Sequence, residues 1–130
     1  MKYKSSKLLN KKDLKELLLS EGIGKSEKEL KSIQDSFRNS NAVFSVWDGK
    51  KLVGIIRGLT DGISRGLALD LFVHKKYRNK GLGEKLLFKI FRKYPSLKWH
   101  LKSSKMARGF YKRLKLIKDE ELWFTYKRGR

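Results

Sequence analysis

The chain has 130 residues, 39% of them hydrophobic and 35% charged, and its 33 Lys and Arg against 13 Asp and Glu give a net charge of +20. Such a length suits one domain, residues 1–130, and the apolar share is too high for a disordered chain. Zero cysteines exclude disulfides and thiol chemistry, two histidines without H-x-x-x-H spacing argue against a zinc site, and neither a secretory leader nor a membrane span is visible, so a soluble cytoplasmic protein is expected.

A short edge strand is predicted over Lys2–Leu8. Leu14, Leu17 and Leu18 share a face behind Asp13, which predicts a helix stopping near Gly22 and Gly24. Ser26 and Glu29 form an S-x-x-E capping box, and Leu30, Ile33 and Phe37 continue at helical spacing as far as Asn39. Ala42–Trp47 and Lys51–Leu59 read as a hairpin through an Asp48-Gly49 turn, and Asp61-Gly62 turns the chain into a third strand, Leu67–Val73. Strict alternation along this strand places Leu67, Leu69, Leu71 and Val73 on one face, with Ala68, Asp70, Phe72 and His74 on the other. An aspartate in mid-strand is costly unless it is paired or lies at a cleft. A helix from Leu82 turns Leu86, Leu87, Ile90 and Tyr94 inward and stops at Pro95, the only proline. Leu97–Lys102 alternates again, so the strand–helix–strand unit implies a parallel crossover. A helix over Lys105–Leu114 and a strand over Glu121–Lys127 complete the chain. Trp47, Trp99 and Trp123 are expected to pack in the core.

Between the third strand and its helix stands Arg78-Asn79-Lys80-Gly81-Leu82-Gly83. Glycines there let a ligand approach the backbone, and the helix start offers unpaired N–H groups and the positive end of its dipole. Local physics therefore predicts a polyanion cradle, although six such residues alone also fit a lysine-rich loop. Neither the dinucleotide G-x-G-x-x-G nor the Walker pattern is present. Charge is concentrated around this loop: between Lys75 and Lys118 there are sixteen Lys or Arg and one acid, Glu84, which is +15 of the total. Such a field attracts polyanions, and it is equally what a solvated lysine-rich surface produces.

The spacing R-x-x-G-x-G after a strand resembles the acetyl-CoA motif of the GNAT N-acetyltransferase family, [QR]-x-x-G-x-[GA]. A second element agrees: Ala107-Arg108-Gly109-Phe110-Tyr111-Lys112-Arg113-Leu114 is similar to the family's A-x-x-F-Y-x-x-L-G-F. The chain departs from the pattern at Lys115-Leu116, where the family has Gly-Phe, and at Ser104, where it often has Asn. The resemblance implies an α/β fold, a mixed and mostly antiparallel sheet flanked by helices, with a parallel strand–helix–strand wedge for acetyl-CoA.

It further implies a transfer of the acetyl group to a primary amine in a ternary complex, with CoA as product. Main-chain groups of Leu71, Phe72 and Val73 would bind the pantetheine arm as an added strand. Arg78, Asn79, Lys80, Gly81, Leu82 and Gly83, with the N–H of Glu84, would hold the pyrophosphate, and Ser104 would stand at a further cofactor contact. Tyr111 would give a proton to the departing thiolate, or else only pack beside the sulfur. Asp70 is the carboxylate best placed by strand phase to take a proton from the amine, with a purely structural ion pair as the other reading; His100 and His74 rank behind it.

The net charge predicts an acceptor that is neutral, acidic or carried on an anionic body. The other function compatible with these residues is a GNAT-fold basic protein without catalysis that binds nucleic acid or ribosomes. A monomer or homodimer without membrane attachment is expected in either case.

Overall fold

The structure is a computed structural model that describes residues 1–102, 107–118 and 125–127. Polar side chains set its first helix ends. Asn10 Oδ1 accepts from the Lys12 N–H (2.7 Å) and opens α1 (Lys11–Leu19), two residues ahead of the expected Asp13. Ser26 Oγ accepts from the Glu29 N–H (3.1 Å) and opens α2 (Glu27–Arg38) as the capping box predicts. The Glu29 carboxylate reaches back to the Gly24 N–H (2.6 Å), two residues beyond the box.

Strands β1 (Lys2–Lys4), β2 (Ala42–Asp48), β3 (Lys51–Thr60), β4 (Arg65–Val73) and β5 (Lys98–Leu101) form one sheet in the order β1-β2-β3-β4-β5. The first four are antiparallel, and β5 runs parallel to β4 through the crossover helix α3 (Leu82–Lys93). A short helix, α4 (Arg108–Arg113), follows. β1 is shorter than expected, and the two-residue β2–β3 loop is Gly49-Lys50, because Asp48 still pairs with Lys51. The predicted last strand and Trp123 fall for the most part outside the described residues. Among those described, no helix is long and apolar enough to cross a membrane.

Helices cover both faces. α1 and α2 bury Leu14, Leu17, Leu18, Leu30 and Phe37 against Val43, Leu52 and Ile55. α3 buries Leu82, Leu86, Leu87 and Ile90 against Val46, Val53, Ile56 and Ala68. Trp99 of β5 joins this second core and lies so close to β4 that a Cβ on Gly66 would stand 2.3 Å from its ring. Gly66 is therefore what admits the indole against the sheet.

The predicted alternation of β4 fails at its centre. β3 and β4 slip register between Ile55 and Arg57, and Asp70 takes a left-handed conformation (φ 51°). Ile56 thus faces two residues of β4, a bulge that reverses the phase of everything after it. Ala68, Leu71 and Val73 pack toward α3, whereas Phe72 packs toward α1 and α2. Leu67 and Leu69, opposite Ala68 in phase, do not share a face with Leu71 and Val73.

Candidate functional site

The bulge shapes the site. β4 pairs with β5 only from Arg65↔Lys98 to Ala68↔Leu101, while β4 continues to Val73. Pairing therefore ends at Ala68, where β5 itself ends, and among the described residues the β5-side edge of residues 69–73 has no strand partner. A cavity of about 370 Å³ fills the gap, between residues 69–72 of β4 and Leu101, Lys102, Ala107 and Tyr111. An open strand edge of this kind accepts an extended ligand through its main-chain groups.

Beyond Val73 the chain turns through His74, whose N–H donates to the Val53 carbonyl (2.8 Å) and whose Nδ1 accepts from the Lys76 N–H (3.1 Å). His74 is held below its ordinary value, first by burial and then by the charges of Lys51 and Lys76, with Glu21 opposing. Tyr77 fixes the next turn by donating its hydroxyl to Asp48 (2.6 Å), while the ammonium groups of Lys51 and Lys80 lie over its ring.

Asn79 (φ 63°) and Gly81 (φ 78°) then bring the chain to the start of α3. Gly81 is the N-cap and has no side chain to cap the helix, so the first-turn N–H groups at Leu82, Gly83 and Glu84 lack an intrahelical acceptor. A Cβ at Gly81 would meet nothing within 4 Å, so the left-handed backbone, rather than crowding, calls for glycine there. At Gly83 a Cβ would touch Phe110, Val73 and Leu71 at 3.6–3.9 Å, which places this glycine between β4 and α4. The geometry is an anion cradle directly after the open strand edge.

The Arg78 side chain turns to partners outside the cradle. Its guanidinium pairs with Glu21 of the α1–α2 connection, and its Nε donates to the Val73 carbonyl (3.4 Å). The side chain ties the loop to the α1 side, and the main chain is left to form the cradle.

Asp70 and Tyr111 both line the cavity. Asp70 Oδ2 accepts from Arg57 Nε at 2.5 Å, and Arg57 Nη1 donates to Ser40 Oγ (3.4 Å). Arg57 is 16% exposed in its side chain and Asp70 38%. Sequence reading missed Arg57, although the cost of a mid-strand aspartate calls for a cation, and Arg57 is the one in the neighbouring strand's interior. Tyr111 is half-buried on α4, and burial pushes its hydroxyl above the ordinary phenol value, so it stays protonated at neutral pH. Ser104 lies outside the described residues.

α4 ends in a Schellman motif. The Leu116 N–H donates to the Tyr111 carbonyl (3.2 Å) and the Lys115 N–H to that of Lys112 (3.0 Å). Lys115 sits at φ 60°, a conformation that favours glycine, so the helix exit is kept where the motif's glycine is missing.

A family model described as an acetyltransferase (GNAT) domain matches residues 39–115, more than half of the chain, and the chain belongs to that family. The fold is similar to a GNAT-family acetyltransferase of Streptococcus pneumoniae: TM-score 0.73, 18% identity, covering 97% of this chain and 98% of the other. It is also similar to a predicted acetyltransferase of Clostridium acetobutylicum solved with acetyl-CoA: TM-score 0.70, 17% identity, covering 97% and 95%. A third similar structure is AAC(6')-Iy in complex with the bisubstrate analogue CoA-S-monomethyl-acetylneamine: TM-score 0.74, 12% identity, covering 98% and 97%. No curated protein matches the sequence. Mixed α/β architecture, with four antiparallel strands and the parallel β4–β5 pair, is thus the GNAT fold.

Proposed function

We propose that the protein is an acetyl-CoA-dependent N-acetyltransferase in which a primary amine attacks directly in a ternary complex. The observation that carries this reading is the unpaired edge of β4 beyond Ala68 beside a cavity, with Asp70 and Tyr111 on the cavity walls and the uncapped helix start at Gly81 next along the chain. Acetyl-CoA, when bound, supplies an activated acetyl thioester. The described residues fit such a group. Main-chain groups of Leu71, Phe72 and Val73 hold the pantetheine arm in place of a strand partner. The amides from Asn79 to Glu84, together with the Lys80 ammonium, hold the pyrophosphate.

Backbone N–H groups at the bulge would hold the thioester carbonyl and favour negative charge on its oxygen. Asp70 takes the proton that the attacking nitrogen must lose, directly or through water; Arg57 holds one of its oxygens, and the other serves the amine. As the new C–N bond forms and the C–S bond breaks, Tyr111 gives its hydroxyl proton to the departing thiolate. The hydroxyl carries its proton at neutral pH and so has one to give.

The test is calorimetric titration with acetyl-CoA, followed by a screen for free CoA over an amine library. Binding together with amine-dependent release supports the reading. Absence of binding at about millimolar acetyl-CoA, an affinity too weak to matter, defeats it.

A further inference from the structure

α1 and α2 cover only part of their face of the sheet. Their core partners are Val43, Leu52, Ile55, Trp47 and Phe72, which lie toward β1–β3 and the far end of β4. Among the described residues, the opposite end of that face, along the paired halves of β4 and β5, adds no residue to that core. Its residues follow from the register. Gly58, Gly66 and Trp99 meet one another on the α3 side, and Ala68 and Leu101 join that core. Alternation sends Leu59, Arg65, Leu67, Leu69, Lys98 and His100 to the other face, His100 standing in register with Leu67. Leu59 is 38% exposed there, and Arg65 and Lys98 are exposed partners in register.

This floor runs directly into the wedge, because Leu69, Asp70 and Lys102 line the cavity. Among the described residues its charge is mainly positive. Arg65, Lys98 and Lys102 are exposed on it, and the Asp70 carboxylate is engaged by Arg57. The nearest other carboxylate in sequence, Asp61 at the β3–β4 turn, accepts from the Ile63 and Ser64 N–H groups and the Ser64 hydroxyl.

We infer that this open leucine floor with its basic rim is the acceptor site, and that it selects a primary amine borne beside carboxylate or phosphate groups. The inference rests on the acetyltransferase reading and gives it a substrate class. The leucines take the body of the acceptor, Arg65 and Lys98 its anions, and the amine reaches Asp70 at the mouth of the wedge. A polycation would meet like charges along the whole approach.

The full chain is first titrated with acetyl-CoA, so that failure there strikes the acetyltransferase reading and not this inference. CoA release is then compared for a short acidic peptide with a free N-terminus, glucosamine 6-phosphate, and spermidine. The expected result is a kcat/KM at least about tenfold higher for an anionic acceptor than for spermidine at low salt. Whichever of the two anionic acceptors leads tells carboxylate from phosphate. The Arg65→Glu/Lys98→Glu variant is expected to raise KM for that acceptor about tenfold while the Kd for acetyl-CoA stays unchanged. Should the double variant unfold, Lys98→Gln is expected to raise the same KM by a smaller factor. Preference for spermidine, no turnover of either anionic acceptor by a protein that binds acetyl-CoA, or an unchanged KM in the folded variants overturns the inference.

Discussion

Tyr111 and Gly66 show how much a single residue can carry. Removing the Tyr111 hydroxyl takes away the proposed proton donor but leaves the ring that packs α4 on the second core. Tyr111→Phe is therefore expected to keep the Kd for acetyl-CoA and to slow kcat by about 10²-fold, measured by CoA release. An unchanged kcat removes Tyr111 from the mechanism. Gly66→Ala tests packing instead: its methyl would stand 2.3 Å from a Trp99 ring wedged under α3. A loss of about 1–3 kcal/mol is expected in denaturant unfolding, because neither the ring nor the strand can give way freely. His74 supplies a pH dependence. Its proton affinity is lower folded than unfolded, so its contribution is complete above the ordinary 6.5 and is lost as pH falls below that value. Thermal scans from about pH 7.5 to about pH 5 are expected to show a drop that His74→Gln flattens.

At the scale of elements, the two helix ends around the site differ in cost. Gly81 at the start of α3 has φ 78° and open space above it, so a side chain there would project where a bound anion belongs. Gly81→Glu is expected to abolish acetyl-CoA binding in calorimetry, through both strain and repulsion of the pyrophosphate. At the end of α4, Lys115 holds the same left-handed conformation with a full side chain. Lys115→Gly is expected to stabilise the protein by about 1 kcal/mol, read as a higher Tm, because the Cβ penalty goes and the Schellman bonds remain. These ends also show what local sequence can reveal. The Ser26 cap, the Pro95 stop and the α3 stripe were legible because capping and amphipathic period act within a few residues. Asn10 was not, because the leucine pattern behind it begins only at Leu14. The Lys115 exit was not, because its bonds form between groups of the turn itself whatever the side chain.

Across the whole molecule, the excess of positive charge and the uneven cover of the sheet act together. α1 and α2 pack on one end of their face, and among the described residues the other end, beside the wedge with Arg65 and Lys98 on its rim, adds nothing to their core. A charge of +20 raises the local concentration of anions around any such opening and weakens as salt is added.

The amino-acid sequence alone determined the order of helices and strands, the parallel crossover at α3 and the two motifs that carry the family likeness. All of these are written in short-range periodicity and spacing. Tertiary structure alone decided the phase of β4 after Asp70, because a bulge exists only between paired strands and one extra residue reverses every side chain beyond it. It also decided that Arg57 meets Asp70 and that Glu21 holds Arg78, contacts between residues far apart in the chain whose distance only folding sets.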